Sequence, residues 1–209
     1  MGVFLETERL ILRSWTDGDR DPFARLNADP RVMEFMPGTL SRQESDAALD
    51  RIQAHFLKHG FGLFAAALNS RFSQARELDS EPRVQQPVAG SFQPPARDDS
   101  AAIGFIGLSV ASFEAHFTPC VEIGWRLAAE HWNRGLATEG ARAVVQYAFE
   151  VLRLEELVSF TVPANAGSRR VMEKLGMTFD PADGFDHPGL PEDHPFRRHV
   201  LYHLQRPVA

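Results

Sequence analysis

The chain has 209 residues, of which 44% are hydrophobic and 24% are charged, which is the size and balance of one globular domain with a full core. Its formal net charge of -6 argues against nucleic acid and anionic membranes as partners, because both bind through basic surfaces, and it favours a cationic acceptor. The single cysteine, Cys120, excludes an intramolecular disulfide. Charged residues interrupt the N-terminal apolar run, which excludes a signal peptide or membrane span there. We therefore expect one domain over residues 1–209, located in the cytoplasm.

The N-terminal part of the chain predicts a strand followed by two helices. Residues 10–12 form a short apolar run of strand type. A short helix follows, with Pro22 at its first position. Ser41 and Glu44 have the spacing of a capping box, and an apolar repeat every four residues comes after them. This pattern predicts a helix over 42–59.

A strand predicted over 62–68 leads into a long segment without regular pattern. Residues 69–101 are rich in Ser, Arg, Gln, Pro and Asp, and four prolines interrupt any regular element. Long loops in compact domains are either mobile or functional. The segment is interpreted as a flexible insertion between two hairpin strands, or as a lid or partner-binding loop.

The second half of the chain alternates strands and helices. An apolar repeat at three- and four-residue steps after residue 132 predicts a helix with one face on a sheet. Strands are predicted over 103–110, 120–127, 157–162 and 198–204, and a further helix over 165–175. The first two of these strands are expected to pair antiparallel. The pattern indicates an α/β domain around a mixed sheet.

A turn from Trp132 to Thr138 leads into the long helix. Gly135 removes a side chain where the backbone must come close to another group, and the small Ala137 follows it. The first amides of a helix lack intrahelical partners and lie at the positive end of its dipole, so this turn suits an anion such as a pyrophosphate. An ordinary glycine-containing loop into a helix has the same local pattern, so the turn alone does not identify a ligand.

Two neighbouring motifs identify it. Residues 122–127 read Glu-Ile-Gly-Trp-Arg-Leu, and residues 165–177 read Asn-Ala-Gly-Ser-Arg-Arg-Val-Met-Glu-Lys-Leu-Gly-Met. Together with the turn between them, they resemble the GNAT superfamily of acetyl-CoA-dependent N-acetyltransferases. Residues 5–13 and 199–202 are similar to the opening and end of its RimJ/RimL-type branch. Outside 69–101 the resemblance spans nearly the whole chain, and it implies a single-domain GNAT fold: a mixed, mostly antiparallel sheet with a splayed strand pair and flanking helices.

The resemblance implies an acetyl-CoA site made largely of backbone groups. The turn would hold the CoA pyrophosphate, the strand would pair with the pantetheine arm, and a bulge near Gly124 would splay two strands. The family motif usually has Gln or Arg where Trp132 stands; Arg134 would supply that charge, although surface solvation explains it equally. The implied cofactor-binding residues are Trp125, Arg126, Leu127, Asn133, Arg134, Gly135, Leu136, Ala137, Thr138, Asn165 and Ser168.

Catalysis in this family needs a proton donor to the departing thiolate. Many members use a tyrosine, but the position that we align with it is Met172, so the resemblance implies Ser168 as the donor; a serine that bonds its own helix start is the alternative. Glu122 is the candidate general base, and a structural carboxylate is the alternative. The amine attacks the thioester directly, without a covalent enzyme intermediate. Cys120 is therefore expected to be a packed residue.

The acceptor is the part of the reaction that the sequence leaves open. Phe35, and Asp186 with His187 in a later loop, are candidate acceptor-pocket residues, against core packing and a solvated loop as alternatives. The C-terminal histidines fit no common zinc spacing, so no metal is expected. The RimJ/RimL-type resemblance favours a protein N-terminal α-amine as acceptor; a small-molecule amine and a non-catalytic acyl-CoA sensor are the alternatives. A homodimer stays open.

Overall fold

The computed structural model describes residues 5–69 and 101–207. Its strands are β1 (Leu5–Glu6), β2 (Leu10–Arg13), β3 (Leu63–Leu68), β4 (Ala102–Val110), β5 (Val121–Leu127), β6 (Glu156–Thr161), β7 (Thr178–Phe179), β8 (Phe185–Asp186) and β9 (Arg198–Gln205). Its helices are α1 (Arg20–Ala28), α2 (Arg42–His59), α3 (Leu136–Gln146), which continues into a π-helical turn (Tyr147–Val151), and α4 (Ala166–Lys174). None of these helices is both long and apolar enough to span a bilayer. The predicted insertion falls almost entirely on residues 70–100, outside the described residues.

The described strands form a mixed sheet in the order β1-β2-β3-β4-β5-β6-β9-β7, with β8 paired to β9. Their pairings are antiparallel except for β5 with β6, which is parallel. The parallel pair shares one registered position, Glu122 opposite Val158. The sheet is therefore mixed and mostly antiparallel, as predicted, and β5 and β6 form its splayed strand pair.

The bulge predicted near Gly124 is not seen in the pairing of β5 with β4. The two strands stay in register from Gly104 opposite Leu127, through Gly107 opposite Gly124, to Val110 opposite Val121. The register shift in this region lies instead between β3 and β4, beside Ala66. The sheet opens on the other side of β5, where the parallel partner β6 arrives after a helical crossover and pairs at one position, and a bulge on that side stays a prediction.

The helix starts show where local sequence rules hold. At the start of α2, the Ser41 amide donates to Glu44 Oε2 (2.8 Å) and the Glu44 amide donates to Ser41 Oγ (3.3 Å), which confirms the predicted capping box. At the start of α1, a 3-10 turn over Asp17–Asp19 runs directly into the helix. The helix therefore begins at Arg20, two residues before Pro22, which still lies in the first turn, where proline is tolerated.

The two faces of β5 point to different layers of the protein. Ile123 and Leu127 pack in the core cluster under α3, whereas Phe105, opposite Arg126 on β4, packs in the cluster under α1 and α2. Because strand side chains alternate between faces, Glu122, Gly124 and Arg126 share the α1 side of the sheet. The β5 side chains that face α3 and those that face α1 therefore lie on different sides of the candidate site.

Candidate active site

A cleft of about 810 Å³ opens where β5 and β6 separate. This volume suits a ligand of cofactor size. The predicted site residues that line it are Phe35, Glu122, Trp125, Arg126, Leu127, Asn133, Gly135, Leu136, Ala137, Thr138, Asn165, Ser168 and His187. Arg134 and Asp186 are not among its lining residues. The cleft is thus lined by thirteen of the fifteen site residues that the sequence predicts.

The turn before α3 presents free backbone amides to the cleft. Gly135 precedes the helix with φ of 78°, and Asn133 also has a positive φ of 57°, so the chain folds back sharply here. No side chain caps the helix, and the first amide to bond back is that of Glu139, which donates to Gly135 O (3.0 Å). The amides of residues 136–138 are therefore available to an anion, as in other anion sites at helix starts.

The turn is held in place by residues from the first strands. Glu139 Oε1 accepts from Thr7 Oγ1 (2.6 Å) and from the Arg9 amide (2.8 Å), and Glu139 Oε2 accepts from Arg9 Nε (2.6 Å). Arg9 Nη1 also donates to Arg134 O (2.8 Å), inside the turn itself. We name Thr7, Arg9 and Glu139 the turn brace. The sequence placed Thr7 and Arg9 in a family motif, but their long-range partner was not readable from it.

Helix α4 supplies Asn165 and Ser168 to the opposite wall. Asn165 Oδ1 accepts from the Ser168 amide (3.1 Å), so Asn165 is the N-cap of α4. The Asn165 side-chain amide donates to Thr161 Oγ1 (3.0 Å) and to Ser168 Oγ (3.2 Å). Because Ser168 Oγ accepts that bond, its own hydroxyl proton stays available for another acceptor.

No tyrosine lines this cleft. The chain has two tyrosines, and both Tyr147 and Tyr202 are buried in the core. Met172, which the resemblance aligns with the family tyrosine, is also buried (1% exposed) and borders the cleft with a group that cannot donate a proton. Among the described hydroxyl side chains that line the cleft, Ser168 lies on α4, the helix on which the resemblance implies the proton donor.

Glu122 is a desolvated carboxylate at the base of the cleft. It stands on β5 at the position where the parallel strand pairs, and no described residue hydrogen-bonds to its side chain. Burial raises the pKa of Glu122 from 4.5 to about 8. A carboxylate without donors is held partly protonated near neutral pH, and it then takes up a proton more readily than an ordinary glutamate.

The side of the cleft where the acceptor is predicted to bind is lined by three separate segments. Phe35 comes from the loop after α1, and its ring packs near Phe196 (6.5 Å between centroids). His187 and His199 face each other with ring centroids 5.2 Å apart, and burial lowers the pKa of both histidines. Asp186 instead forms ion pairs with two arginines at the start of β9, away from the cleft. His199 was not singled out as a site residue because neighbouring histidines in the sequence gave no way to rank it.

Cys120 lies outside the lining of this cleft and is not activated as a nucleophile. Burial raises the pKa of Cys120 to about 11, which keeps it a neutral thiol, and it is not among the lining residues. Within residues 5–69 and 101–207, no group of three or more histidine, cysteine or acidic side chains is arranged to hold a metal ion.

Comparison with protein families gives a match over residues 9–178 to the acetyltransferase (GNAT) domain. The chain belongs to the GNAT acetyltransferase family. The FsC-acetyl coenzyme A-N(2)-transacetylase of Aspergillus fumigatus is 44% identical over 181 residues, which cover 83% of this chain and 64% of that protein. The chain therefore spans about two thirds of the length of that relative.

Solved structures of other family members share the fold. An acetyltransferase from Agrobacterium tumefaciens superposes with a TM-score of 0.67 at 26% identity, covering 97% of this chain and 94% of that one. A ribosomal-protein-S5-alanine acetyltransferase from Vibrio fischeri superposes with a TM-score of 0.65 at 14% identity, covering 98% and 97%. The second likeness is of the fold alone. Acetyl-CoA is the co-substrate of this GNAT enzyme, and the free amides at the start of α3 fit its pyrophosphate.

Proposed function

We propose that this GNAT enzyme transfers an acetyl group to the α-amino group of an acceptor that enters the cleft beside Phe35 and His187. One arrangement supports the proposal above the others. Free amides suited to a phosphate lie at one end of the cleft, and the desolvated Glu122 carboxylate lies where β5 and β6 begin to separate. Acetyl-CoA supplies a thioester, so that the acceptor nitrogen gains an amide bond as the carbon–sulfur bond breaks.

Binding of the co-substrate is assigned to groups on the α3 side of the cleft. The amides of residues 136–138 hold the pyrophosphate, and the backbone of 125–127 pairs with the pantetheine arm, as the family implies. Arg170 and Lys174 line the same cleft from α4 and add positive charge near the phosphates. Asn165 holds Ser168 and borders the same wall.

Two proton transfers are assigned to Glu122 and Ser168. Glu122 takes the proton that the amine must lose, and Ser168 donates its hydroxyl proton to the departing sulfur. Ser168 is suited to this because Asn165 occupies its oxygen as acceptor and leaves its proton free. Glu122 gains one proton and Ser168 gives one up, so exchange of a proton with solvent returns both groups to their starting states after turnover.

An α-amine suits this base better than a lysine side chain. At pH 7 an amine of pKa about 10.4 costs roughly 4.6 kcal/mol to deprotonate, whereas an α-amine of pKa about 7.8 costs roughly 1.1 kcal/mol. A carboxyl group with a pKa of about 8 is matched to the second amine. The match between these pKa values therefore favours α-amines as acceptors.

Two kinds of acceptor carry such an amine. The resemblance to the RimJ/RimL-type branch favours a protein N-terminus, and the Vibrio fischeri likeness, which is of fold alone, agrees with it. The Aspergillus fumigatus relative is 44% identical and its name describes an N(2)-transacetylase, which favours a small-molecule amine. The second observation is more specific, and we place the small-molecule acceptor first.

Release of CoA thiol with a panel of amines tests the proposal. The panel holds N-terminal peptides, amino acids and their amides, and polyamines. We expect turnover with α-amines, and Ser168→Ala to lower kcat about 100-fold or more. Glu192→Gln, in an exposed loop, is the control and should behave as wild type. Calorimetric binding of acetyl-CoA without thiol release for any amine would favour the sensor alternative instead.

A further inference from the structure

Arg126 is a cation on the acceptor side of the cleft whose partners are neutral. Its Nη1 donates to Asn27 Oδ1 (2.8 Å), and its guanidinium carbon lies 5.3 Å from the centroid of the Phe105 ring. Asn27 is fully buried and itself donates to Ser45 Oγ (3.0 Å), so its oxygen is fixed toward Arg126. The guanidinium is thus held in one place by groups that do not neutralise it.

The carboxylates of the cleft do not pair with Arg126. Those that line it among the described residues are Glu34, which is exposed, and Glu122, and neither forms an ion pair with Arg126. Glu122 is four residues away on the same strand, which places the two Cα atoms about 13 Å apart. Arg31, the other arginine on this side of the cleft, is already paired with Asp29 (2.6 Å). A guanidinium has five N–H donors, and most of those of Arg126 remain for a ligand.

We propose that Arg126 binds the carboxylate of the acceptor, so that the acceptor is a small amino-acid-like molecule with an amine and a free carboxylate. This inference rests on the proposed acetyl transfer in the same cleft. Glu122, Gly124 and Arg126 follow one another on one face of β5, with Gly124 about 7 Å from each of the others along the strand. An amine that lies over Gly124 and a carboxylate turned toward the long Arg126 side chain then belong to one small molecule, and Glu122 takes the amine proton through water.

A peptide N-terminus fits this arrangement less well. The carboxyl group of its first residue is already part of a peptide bond. Binding of such a peptide would leave the guanidinium of Arg126 desolvated and without an anion. A charge-assisted, two-pronged bond from arginine to carboxylate is the interaction that this side chain makes best. The Arg126 side chain would then determine acceptor specificity, and it projects from the face of β5 opposite the one that packs under α3.

Matched acceptor pairs test this inference. Glycine, L-alanine, β-alanine and L-ornithine are each compared with their carboxamides, and kcat/KM is expressed per free amine because the amide lowers the amine pKa. We expect wild type to prefer the carboxylate by about ten-fold or more. Arg126→Met should abolish that preference when acetyl-CoA is saturating for each variant. Arg126→Lys should keep a reduced preference, which guards against misfolding of the Met variant, and Arg42→Met, an exposed residue outside the cleft, should keep it in full.

The outcomes separate this inference from the proposed function. Turnover of amides and carboxylates at equal rates, or a preference that survives Arg126→Met, would overturn the role of Arg126 and leave acetyl transfer intact. If no amine releases CoA thiol, the proposed function is wrong. Binding of the same pairs to enzyme saturated with CoA is followed by intrinsic tryptophan fluorescence, to which Trp125 and Trp132 in the cleft wall contribute, and it decides about Arg126 independently. Tighter binding of the carboxylate that depends on Arg126 supports the inference, and equal binding overturns it.

Discussion

Arg9 Nε lies 2.6 Å from Glu139 Oε2, although the two residues are 130 positions apart in the chain. Through Arg9 Nη1, this ion pair also reaches Arg134 O in the turn before α3. The pair is only partly exposed, with 32% of the Arg9 side chain and 19% of the Glu139 side chain accessible. A contact between the first strands and α3 therefore fixes the backbone that faces the phosphate end of the cleft.

Loss of the turn brace should weaken acetyl-CoA binding more than it slows the chemical step. We expect Glu139→Gln and Arg9→Met each to raise the KM for acetyl-CoA about ten-fold, because charge-assisted hydrogen bonds that order the turn are lost. The double variant should show less than the sum of the two effects, since they remove one interaction. Steady-state kinetics with acetyl-CoA varied measures this. An unchanged KM in both single variants would contradict it.

The left-handed backbone at Gly135 gives a second test of the turn. We expect Gly135→Ala to lower the free energy of unfolding by about 1–2 kcal/mol, because φ of 78° disfavours a Cβ, and to raise the KM for acetyl-CoA as the amides shift. Gly60→Ala is a matched control, since Gly60 has φ of 75° and ends α2 far from the cleft, with open space around its Cβ position. Urea unfolding and kinetics of both variants separate strain from binding. Equal KM increases in both would mean that the turn has no special role.

Much of the fold could be predicted from local sequence patterns. The elements that were not predicted show where such patterns are too short to be recognised. The apolar repeats, the capping box at Ser41 and the glycine turn before α3 are local, so their elements were predicted with small errors at the ends. Strands of two residues, such as β1 and β8, carry too little pattern to be recognised. They exist because neighbouring strands offer them backbone partners, as β9 does for β8.

The candidate site also contains residues that local motifs predict and residues whose roles depend on long-range contacts. The motif residues around the cofactor come from short stretches of sequence and converge on the cleft, as the resemblance implied. The role of Glu139 could not be predicted, because its partners, Thr7 and Arg9, are distant in the chain. The role of the Arg126 side chain was equally unreadable, because it depends on the strand face and on Asn27 from α1.

The raised pKa of Glu122 predicts how activity depends on pH. A base must be ionised to accept a proton, so kcat/KM should rise with pH through about 8, well above the ordinary glutamate value of 4.5. An acceptor whose own amine pKa lies below about 6 keeps the substrate from titrating in this range. Glu122→Gln should remove the rising limb and lower the rate. A limb near 4.5, or one that survives the substitution, would exclude Glu122 as the base.

The raised pKa of Glu122 also predicts that the free energy of unfolding falls as the pH rises, whereas the activity rises. Because folding raises the pKa of Glu122, its contribution favours the folded state below pH 4.5 and is lost as the pH rises through about 8. Glu122→Gln removes this loss. The free energy of unfolding of the variant should therefore rise relative to wild type between pH 5 and pH 9, by the amount that corresponds to a shift of about one to a few pKa units. Chemical unfolding of both proteins across this range measures the difference. A constant difference would mean that Glu122 is solvated like an ordinary carboxylate.

His55 makes a separate prediction, about acid stability, from a contact outside the cleft. Its Nε2 accepts from the Val110 amide (3.0 Å), which requires that nitrogen to be unprotonated, so its Nδ1 carries the proton and donates to Phe61 O (2.9 Å). Burial lowers the pKa of His55 below its ordinary 6.5, because the charged form loses solvent and the bond from β4. The stabilising contribution is therefore present above pH 6.5 and is lost as the pH falls through the lowered folded value. We expect the stability difference between wild type and His55→Gln to shrink over that window in urea unfolding. A wild-type advantage that stays constant down to pH 4.5 would mean that His55 does not have to be neutral to join α2 to β4.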